Sequence, residues 1–395
     1  MNKGNPQLGL ALMLAALAAI GPFTIDTYLP AFPEMGADLA ADKEAMQETL
    51  SFYMLTFGLM TLWHGAFSDS FGRKRVILAG LSVYALASLG CALATSIEML
   101  WVMRAVQGLS AGAGMVVSRA IVRDLYEGPG AQRLMAKIAL MFAIAPAVAP
   151  IIGGWILRLA GWRAIFVFLA LAAAGLCLVC AKKLPESLPP EKRQPFAVKS
   201  LFRGYQSIFS NVRFLLLSAG IGAFFGGFFL YVLSAPTFIR EHLGLNETEF
   251  HWLFVPCMIG MMTGSWVSGR IAGRWDDRRT LRVAFAMMGV GVLINLTVSG
   301  FWPSFLPLAV LPFIFYNLGV AMAMPNVTLM VLDMFPEIRG MAASCQSCVQ
   351  TVFNAFLASL LVPWLWHSQI GLACGMAGLA LLGAVVVFGC LNIRR

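Results

Sequence analysis

The sequence predicts an all-α integral membrane protein, with twelve transmembrane helices in two pseudo-symmetric six-helix bundles. Hydrophobic residues make up 59% of the 395 residues and charged residues only 12%, and the mean hydropathy is +0.79. A soluble fold has no core large enough for that apolar content. The apolar runs are of helical length and lack alternation with a period of two, which favours helices over a β-barrel. Short motifs also recur in the two halves at a nearly constant offset, which indicates an internal duplication.

About twelve apolar runs are long enough to cross a bilayer at ~1.5 Å of rise per residue. We predict spans near residues 8–33, 45–66, 76–96, 97–121, 131–158, 162–183, 209–239, 248–272, 279–300, 302–328, 340–363 and 367–390. The first run has the look of a secretory signal peptide, with Lys3 ahead of a leucine-alanine core. It continues unbroken to Pro30 and many spans follow it, so we predict a retained first helix.

Three pairs of segments carry the repeat. They are 65–75 with 269–279, 28–33 with 231–236, and 124–126 with 333–335, at offsets of about 203 to 209 residues. The polar, proline-rich run that begins at Leu184 is the one long interruption between the halves. The predicted organisation is therefore an N-terminal bundle (1–183), a cytoplasmic linker containing a short surface helix (184–208), and a C-terminal bundle (209–395).

The net charge of +9 does not indicate a nucleic-acid partner, because most of the basic residues fall in alternate loops. That distribution follows the positive-inside rule and predicts that both termini are cytoplasmic. The eight cysteines lie in predicted spans and the four histidines are scattered without ligand spacing, so no metal or cofactor is predicted. No nucleophile, base and metal set clusters in the sequence, so the chain is not expected to be an enzyme. A receptor or scaffold would carry long extramembrane segments, which this sequence lacks.

Asp26 is the residue that most clearly suggests function, because it lies within the apolar run from Leu8 to about Pro33. A charge at the centre of a membrane helix costs about 2.5–3.5 kcal/mol on insertion scales, so such residues are functional candidates. The alternative is an acid that snorkels to the outer interface or stays neutral.

Arg104 is the matching base. Counted from Pro33 and from Ile97, Asp26 and Arg104 each lie seven residues inside the outer boundary, or about 10 Å deep. An opposite charge favours an ionised carboxyl and burial favours a neutral one, which suits a group that binds and releases a proton. A purely structural ion pair is the alternative, and equal depth does not show that the two helices are neighbours.

The inner loop at 65–75 combines glycines, an acid and a basic cluster. Gly65 and Gly72 are expected to permit a tight turn, and Arg73 to anchor it at the cytoplasmic face. Asp69 is expected to face the positive N-terminus of span eleven and so to latch the two halves together. Loop charges that serve only topology are the alternative.

Span five carries two prolines among small residues, from Ala145 to Gly154. Small residues permit close helix packing and proline bends a helix, so Pro150, Gly153 and Gly154 predict a bent, tightly packed hinge. An ordinary kinked helix is the alternative.

The two halves differ in chemistry. Asp26 and Arg104 lie in the first half, whereas the second half places aromatic and amide side chains at span positions. Flexible methionines and phenylalanines there suit an adaptable ligand surface, although such residues are also ordinary core or lipid-facing ones. An ion-binding half beside an apolar-aromatic half suggests coupling of an ion to an organic solute.

Four ordered motifs give the chain a resemblance to the major facilitator superfamily, in particular to its drug/proton antiporters of the bicyclomycin- and chloramphenicol-resistance type. The 65–75 segment resembles the family's loop between helices two and three. The run from Arg104 to Gly108 resembles its fourth-helix motif, and 150–154 its fifth-helix antiporter motif. The run 26–30 resembles the first-helix motif of this branch, whose acid is implicated in protonation.

The resemblance implies a proton-coupled antiporter that exports small amphipathic compounds by alternating access. It would act as a monomer in a bacterial cytoplasmic membrane, with a proton as the coupling ion. Asp26 and Arg104 are the predicted proton-coupling residues. The candidate substrate contacts are Tyr28, Gln107, Phe224, Phe228, Tyr231, Met258, Tyr316, Asn317, Gln350 and Asn354. The candidate gating residues are Gly65, Asp69, Gly72, Arg73, Arg123, Pro150, Gly153 and Gly154. A narrow metabolite exporter or a proton-coupled importer on the same scaffold remains the alternative.

Overall fold

The structure is a computed structural model that describes residues 6–126, 128–193, 196, 198–303 and 305–392. These residues contain helices and connecting segments, without any strand. The α-helices are α1 (Pro6–Tyr28), α2 (Phe32–Asp38), α3 (Lys43–Phe71), α4 (Arg73–Ala92), α5 (Ile97–Leu125), α6 (Gly128–Ala160), α7 (Trp162–Lys183), α8 (Val198–Phe209), α9 (Val212–Leu233), α10 (Ala235–Thr237), α11 (His251–Ile271), α12 (Asp277–Phe301), α13 (Leu306–Val310), α14 (Pro312–Leu332), α15 (Arg339–Phe356), α16 (Val362–Leu365) and α17 (Gln369–Asn392). Two π-helical turns, Phe238–His242 and Leu357–Leu361, interrupt longer helical stretches.

Helical segments lie within each of the twelve predicted spans. Nine helical stretches of the described chain are long and apolar enough, by length and composition, to cross a membrane. The prediction of an all-α integral membrane protein is confirmed.

The residues up to Gly204 form one compact unit. In it α1 packs against α5, α6 and α7, α3 packs against α5, and α4 packs against α5 and α7. Several of these contacts are backbone to backbone. A Cβ on Gly108 would lie 2.2 Å from the carbonyl oxygen of Tyr53, and one on Gly114 would lie 2.3 Å from that of Leu17. These glycines let α5 approach α3 and α1 without a side chain between them.

The residues from Tyr205 onward form a second unit, whose helix pairings repeat those of the first. Here α9 packs against α14, α15 and α17, α11 packs against α14, and α12 packs against α14 and α17. These pairs correspond one to one with the pairs of the first unit when α9 takes the place of α1. The division between the units falls within α8, inside the segment predicted as the linker. The boundaries at 183 and 209 stay predictions.

The predicted turn at Gly65 is wrong. The helix α3 runs through Gly65 to Phe71, and Gly72 alone separates it from α4, with a positive φ of 98°. Gly65 has open space around it, since a Cβ there would touch only Val116, at 3.9 Å. The helix continues because nothing between these glycines breaks it, and only Gly72 adopts the left-handed conformation that the turn requires.

Candidate functional site

Asp26 lies in α1 with 4% of its surface exposed. Across the described part of the chain, no hydrogen bond or ion pair joins its carboxyl to another group. Buried carboxyls in proteins are normally paired or hydrogen bonded. Asp26 is thus an unpaired acid on a membrane-spanning helix.

Arg104 is fully buried in α5, and its guanidinium lies between two aromatic rings. The guanidinium carbon is 4.3 Å from the ring centroid of Tyr28 and also 4.3 Å from that of Tyr53. A desolvated cation–π contact of this kind contributes about 2 kcal/mol or more. The rings belong to α1 and α3, so Arg104 binds three helices together.

A hydrogen-bond chain extends from this cation. Its Nη1 donates to Oε1 of Gln107 at 2.7 Å, and Nε2 of Gln107 donates to the Ser88 hydroxyl at 2.7 Å. On the other side Nε of Arg104 donates to the Thr49 carbonyl at 3.4 Å, and the Thr49 hydroxyl is bonded to that of Tyr28 at 2.8 Å. The remaining nitrogen, Nη2, is buried and has no hydrogen-bond partner among the described residues. The cation is therefore tied to α3 directly and to α4 through Gln107, while its Nη2 stays without a partner in the described chain.

The direct pairing of Asp26 with Arg104, a hypothesis from their depth, is not present. No ion pair links them within the residues that the structure describes, although α1 and α5 are in contact. Tyr28 lies two residues after Asp26 and occupies one face of the guanidinium instead. Equal depth places two residues in the same layer but does not decide which side of each helix they occupy.

A second polar cluster lies at the end of the bundle where α3 meets α4. The buried Arg73 forms ion pairs with Asp69 and, at 2.9 Å through Nε, with Asp124 at the end of α5. Its Nη1 also donates to the Ser68 hydroxyl at 2.7 Å. Asp69 thus has a partner within its own unit, and the predicted latch to span eleven stays a prediction. Arg123, beside Asp124, is exposed.

The linker is part of this cluster. Glu186 accepts from the backbone N–H of Arg73 at 2.9 Å and of Lys74 at 3.3 Å, so it caps the N-terminus of α4. A Cβ on Gly72 would lie 2.6 Å from the Glu186 carboxylate. Sequence reasoning missed both Glu186 and the ion pair of Asp124. Counting spans could have found them, since α3, α5 and α7 all end on the side where α4 begins.

The small residues of α6 lie against α1. A Cβ on Gly153 would lie 1.7 Å from the carbonyl oxygen of Thr27, the residue after Asp26. Pro150 and Gly154 are buried, and the helix continues across Pro150 without a break. The close packing predicted for this motif is present at Gly153, and its action as a hinge stays a prediction.

The aromatic candidates of the second unit already have partners there. The Tyr316 hydroxyl donates to the Phe224 carbonyl at 2.8 Å, and the Tyr231 hydroxyl accepts from Asn295 at 2.7 Å. The Phe228 ring packs edge-on against Phe225 at 5.6 Å. These side chains hold their unit together, and contact with a substrate stays a prediction for them, as it does for Tyr28 and Gln107.

The remaining candidates are amides and a methionine. Met258 and Gln350 are half-buried, whereas Asn317 and Asn354 are buried, with 0% and 3% of their surface exposed. The Oδ1 atoms of both asparagines lack a hydrogen-bond partner within the described chain.

The unpaired acid, the caged arginine and the loop cluster occur in a chain that matches the family model of the Major Facilitator Superfamily over residues 12–358. The chain belongs to the Major Facilitator Superfamily. Membership makes it a multi-pass membrane transporter rather than an enzyme. In this superfamily member, the four motifs that suggested the resemblance contribute to the polar clusters around Arg104 and Arg73 and to the close contact of Gly153 with Thr27.

Relatives within the superfamily support its drug-resistance branch. The chain is 32% identical over 394 residues to the uncharacterised MFS-type transporter YdgK of Bacillus subtilis (strain 168), covering 98% of this chain and 96% of that protein. It is 28% identical to multidrug resistance protein D of Escherichia coli (strain K12), with 96% and 95% covered, and 28% identical to a chloramphenicol resistance protein of Pseudomonas aeruginosa, with 90% and 84% covered. The resemblance to the bicyclomycin- and chloramphenicol-resistance transporters is thereby confirmed.

Solved structures of the superfamily share the fold. The nucleoside transporter NupG aligns with a TM-score of 0.74 at 15% identity, over 99% of this chain and 100% of that one. A D-xylose-proton symporter aligns with a TM-score of 0.68 at 16% identity, over 95% and 97%. At these identities the likeness establishes the architecture alone.

Proposed function

We propose that this protein is a proton-coupled antiporter that exports small amphipathic organic compounds, with drugs of the chloramphenicol or bicyclomycin type among them. It would work as a monomer by alternating access in a bacterial cytoplasmic membrane, with both termini in the cytoplasm. Support comes from the names of the relatives, among which are multidrug, bicyclomycin and chloramphenicol resistance proteins.

The observation that carries proton coupling is the unpaired Asp26 carboxyl. It is buried on α1, and no neighbouring group in the described chain fixes its charge. A carboxyl in this setting changes its charge by taking up or losing a proton, and intramembrane acids serve as proton sites in transporters. Asp69, in contrast, forms an ion pair with Arg73.

Arg104 would act on Asp26 through α1 rather than by direct contact. Its guanidinium holds the Tyr28 ring, and the Tyr28 hydroxyl is bonded to Thr49 of α3. A charge at Asp26 would alter the field at the cation, whose Nη2 has no protein acceptor in the described residues. The cation would then set how readily Asp26 binds its proton.

The decisive experiment replaces the titratable group and measures proton movement. In inverted vesicles, chloramphenicol added to the wild type should release protons from an imposed gradient, and Asp26→Asn should abolish that response. Glu44→Gln, at an exposed acid in the first turn of α3, is the matched control and should behave as the wild type. Proton-coupled export at the wild-type rate by Asp26→Asn would refute the proposal.

Transport direction needs a separate measurement. With labelled chloramphenicol and a pH gradient of either sign, an antiporter accumulates the compound on the side with the higher proton concentration. Accumulation on the opposite side would identify a proton-coupled importer on the same scaffold.

A further inference from the structure

Carboxamide side chains form a line along one helix of the second unit. Gln346, Gln350 and Asn354 are spaced four residues apart in α15, so they follow one face at intervals of about 6 Å. We call these three residues the amide ladder. Gln346 and Asn354 are 5% and 3% exposed, and Gln350 between them is half-buried.

The two buried members of the ladder keep unused acceptors. Nε2 of Gln346 donates to the Thr328 hydroxyl of α14 at 3.0 Å, but its Oε1 has no partner in the described chain. Oδ1 of Asn354 likewise has none, and it would lie 3.4 Å from a Cβ placed on Gly226 of α9. The ladder therefore runs from a contact with α14 to a contact with α9.

An unpaired buried carbonyl oxygen is costly, at about 1–3 kcal/mol each. If Gln346 and Asn354 served only to pack the bundle, apolar side chains would be expected at these positions. Replacing buried polar groups by hydrocarbon of similar shape is close to neutral or stabilising. Two such oxygens lie two turns apart with a half-buried amide between them, and a ligand bearing N–H or O–H groups would satisfy them. Apolar side chains flank the Asn354 end of the ladder, since the Phe353 ring approaches Gly222 of α9 and the Leu357 side chain approaches Gly226.

Charge decides between classes of ligand. The helices α14 and α15 carry no acid or base beyond Arg339, which forms an ion pair with Asp333 at the entrance of α15. Carbonyl oxygens without a carboxylate accept from neutral donors but do not neutralise a permanent cation.

We propose that the amide ladder is a hydrogen-bonding subsite for uncharged ligands that carry hydroxyl or amide donors, and that it selects them over organic cations. This inference rests on the proposed function and names its ligand class. Asn354 is expected to contribute most to binding, because its acceptor is buried and faces a glycine of α9.

The test measures equilibrium binding to the purified full-length protein, which does not depend on proton coupling. Chloramphenicol, uncharged with hydroxyl and amide donors, is one probe. Tetraphenylphosphonium, a cation without any N–H or O–H group, is the other. Asn354→Leu should weaken chloramphenicol binding by about 5–10-fold, the loss expected for one hydrogen bond, and leave tetraphenylphosphonium binding unchanged.

Two further variants make the result specific. Ser347→Ala, on the same helix but off the ladder, is the matched control and should change neither probe. Gln350→Leu, at a half-buried position, should also weaken chloramphenicol selectively, and it provides the test if Asn354→Leu fails to fold.

The inference is overturned if the wild type does not bind chloramphenicol, if folded Asn354→Leu or Gln350→Leu binds it as the wild type does, or if both probes weaken equally. Failure of the proposed function has a different signature. In that case the ladder variants would lose chloramphenicol binding selectively, while the wild type would move no protons.

Discussion

Arg104 shows how a buried cation is stabilised without a carboxylate. Two tyrosine rings cover its faces and Gln107 accepts from its edge, so the charge is spread over aromatic and amide groups. A planar guanidinium fits this arrangement, whereas a lysine ammonium cannot lie flat between two rings.

We therefore expect Arg104→Lys to lower both the rate of proton-coupled transport and the melting temperature. The lysine keeps the charge but loses the stacked geometry and the bond to Gln107. Transport rate and melting temperature of the purified variant measure the two effects. Tyr53→Phe is the control, because it keeps the ring over the guanidinium and removes the hydroxyl that bonds the Gly21 carbonyl. A fully active Arg104→Lys would show that charge alone suffices.

At this scale the sequence identified the two charged residues but not their relation. Asp26 stood out because an acid in an apolar run is rare, and the same holds for Arg104. The partners of Arg104 on neighbouring helices, Tyr28, Tyr53 and Thr49, are ordinary residues of membrane helices, and only the rotation of each helix about its axis brings them to the cation. That rotation depends on packing, which periodicity alone does not give.

At the scale of helices, close contact between α1 and α6 depends on the glycine at position 153, which has no side chain. A Cβ on Gly153 would lie 1.7 Å from the Thr27 carbonyl oxygen, far closer than a van der Waals contact permits. Gly153→Ala should therefore separate the helices or prevent folding, at a cost beyond the about 1–3 kcal/mol usual for overpacking.

The melting temperature of the purified protein measures this cost. Gly175→Ala in α7 is the control, because nothing lies within 4 Å of a Cβ there. It should leave stability unchanged or raise it slightly, since alanine favours helix by about 1 kcal/mol over glycine. Equal melting temperatures for the two variants would contradict the packing argument.

The cap on α4 provides a second test at this scale. Glu186 bonds the first two N–H groups of α4, so Glu186→Ala should lower the free energy of unfolding by about 1 kcal/mol. Glu191→Ala, at an exposed acid of the same linker, should not. Thermal unfolding in detergent, followed for both variants, checks the difference. Identical thermal unfolding of the Glu186→Ala and Glu191→Ala variants would show that the cap does not contribute to stability.

At the scale of the molecule, the duplication was the most predictable feature. Span positions follow from hydropathy, and three repeated motifs predicted that the two halves share an architecture. The matched helix pairings of the two units agree with this. The end of α3 was misplaced by several residues, because polar residues after Gly65 read as a loop although they continue the helix.

Orientation is the prediction that belongs to the whole molecule. The positive-inside distribution predicts that the linker lies in the cytoplasm and the start of α3 outside. A membrane-impermeant maleimide should label Glu44→Cys in intact cells, and should label Glu191→Cys only after permeabilisation, each compared with the unsubstituted chain. The reverse pattern would invert the topology.

The two glycine contacts of α1 have a mechanical consequence. Gly114 of α5 meets the backbone at Leu17, and Gly153 of α6 meets it at Thr27, so the helix is clamped at two heights by its own main chain. A helix held in this way cannot slide or turn alone without a steric clash. If Asp26 gains or loses a proton as proposed, any displacement of α1 that follows would carry α5 and α6 with it as a single body. A change of charge at this carboxyl would then move α1, α5 and α6 together rather than α1 alone.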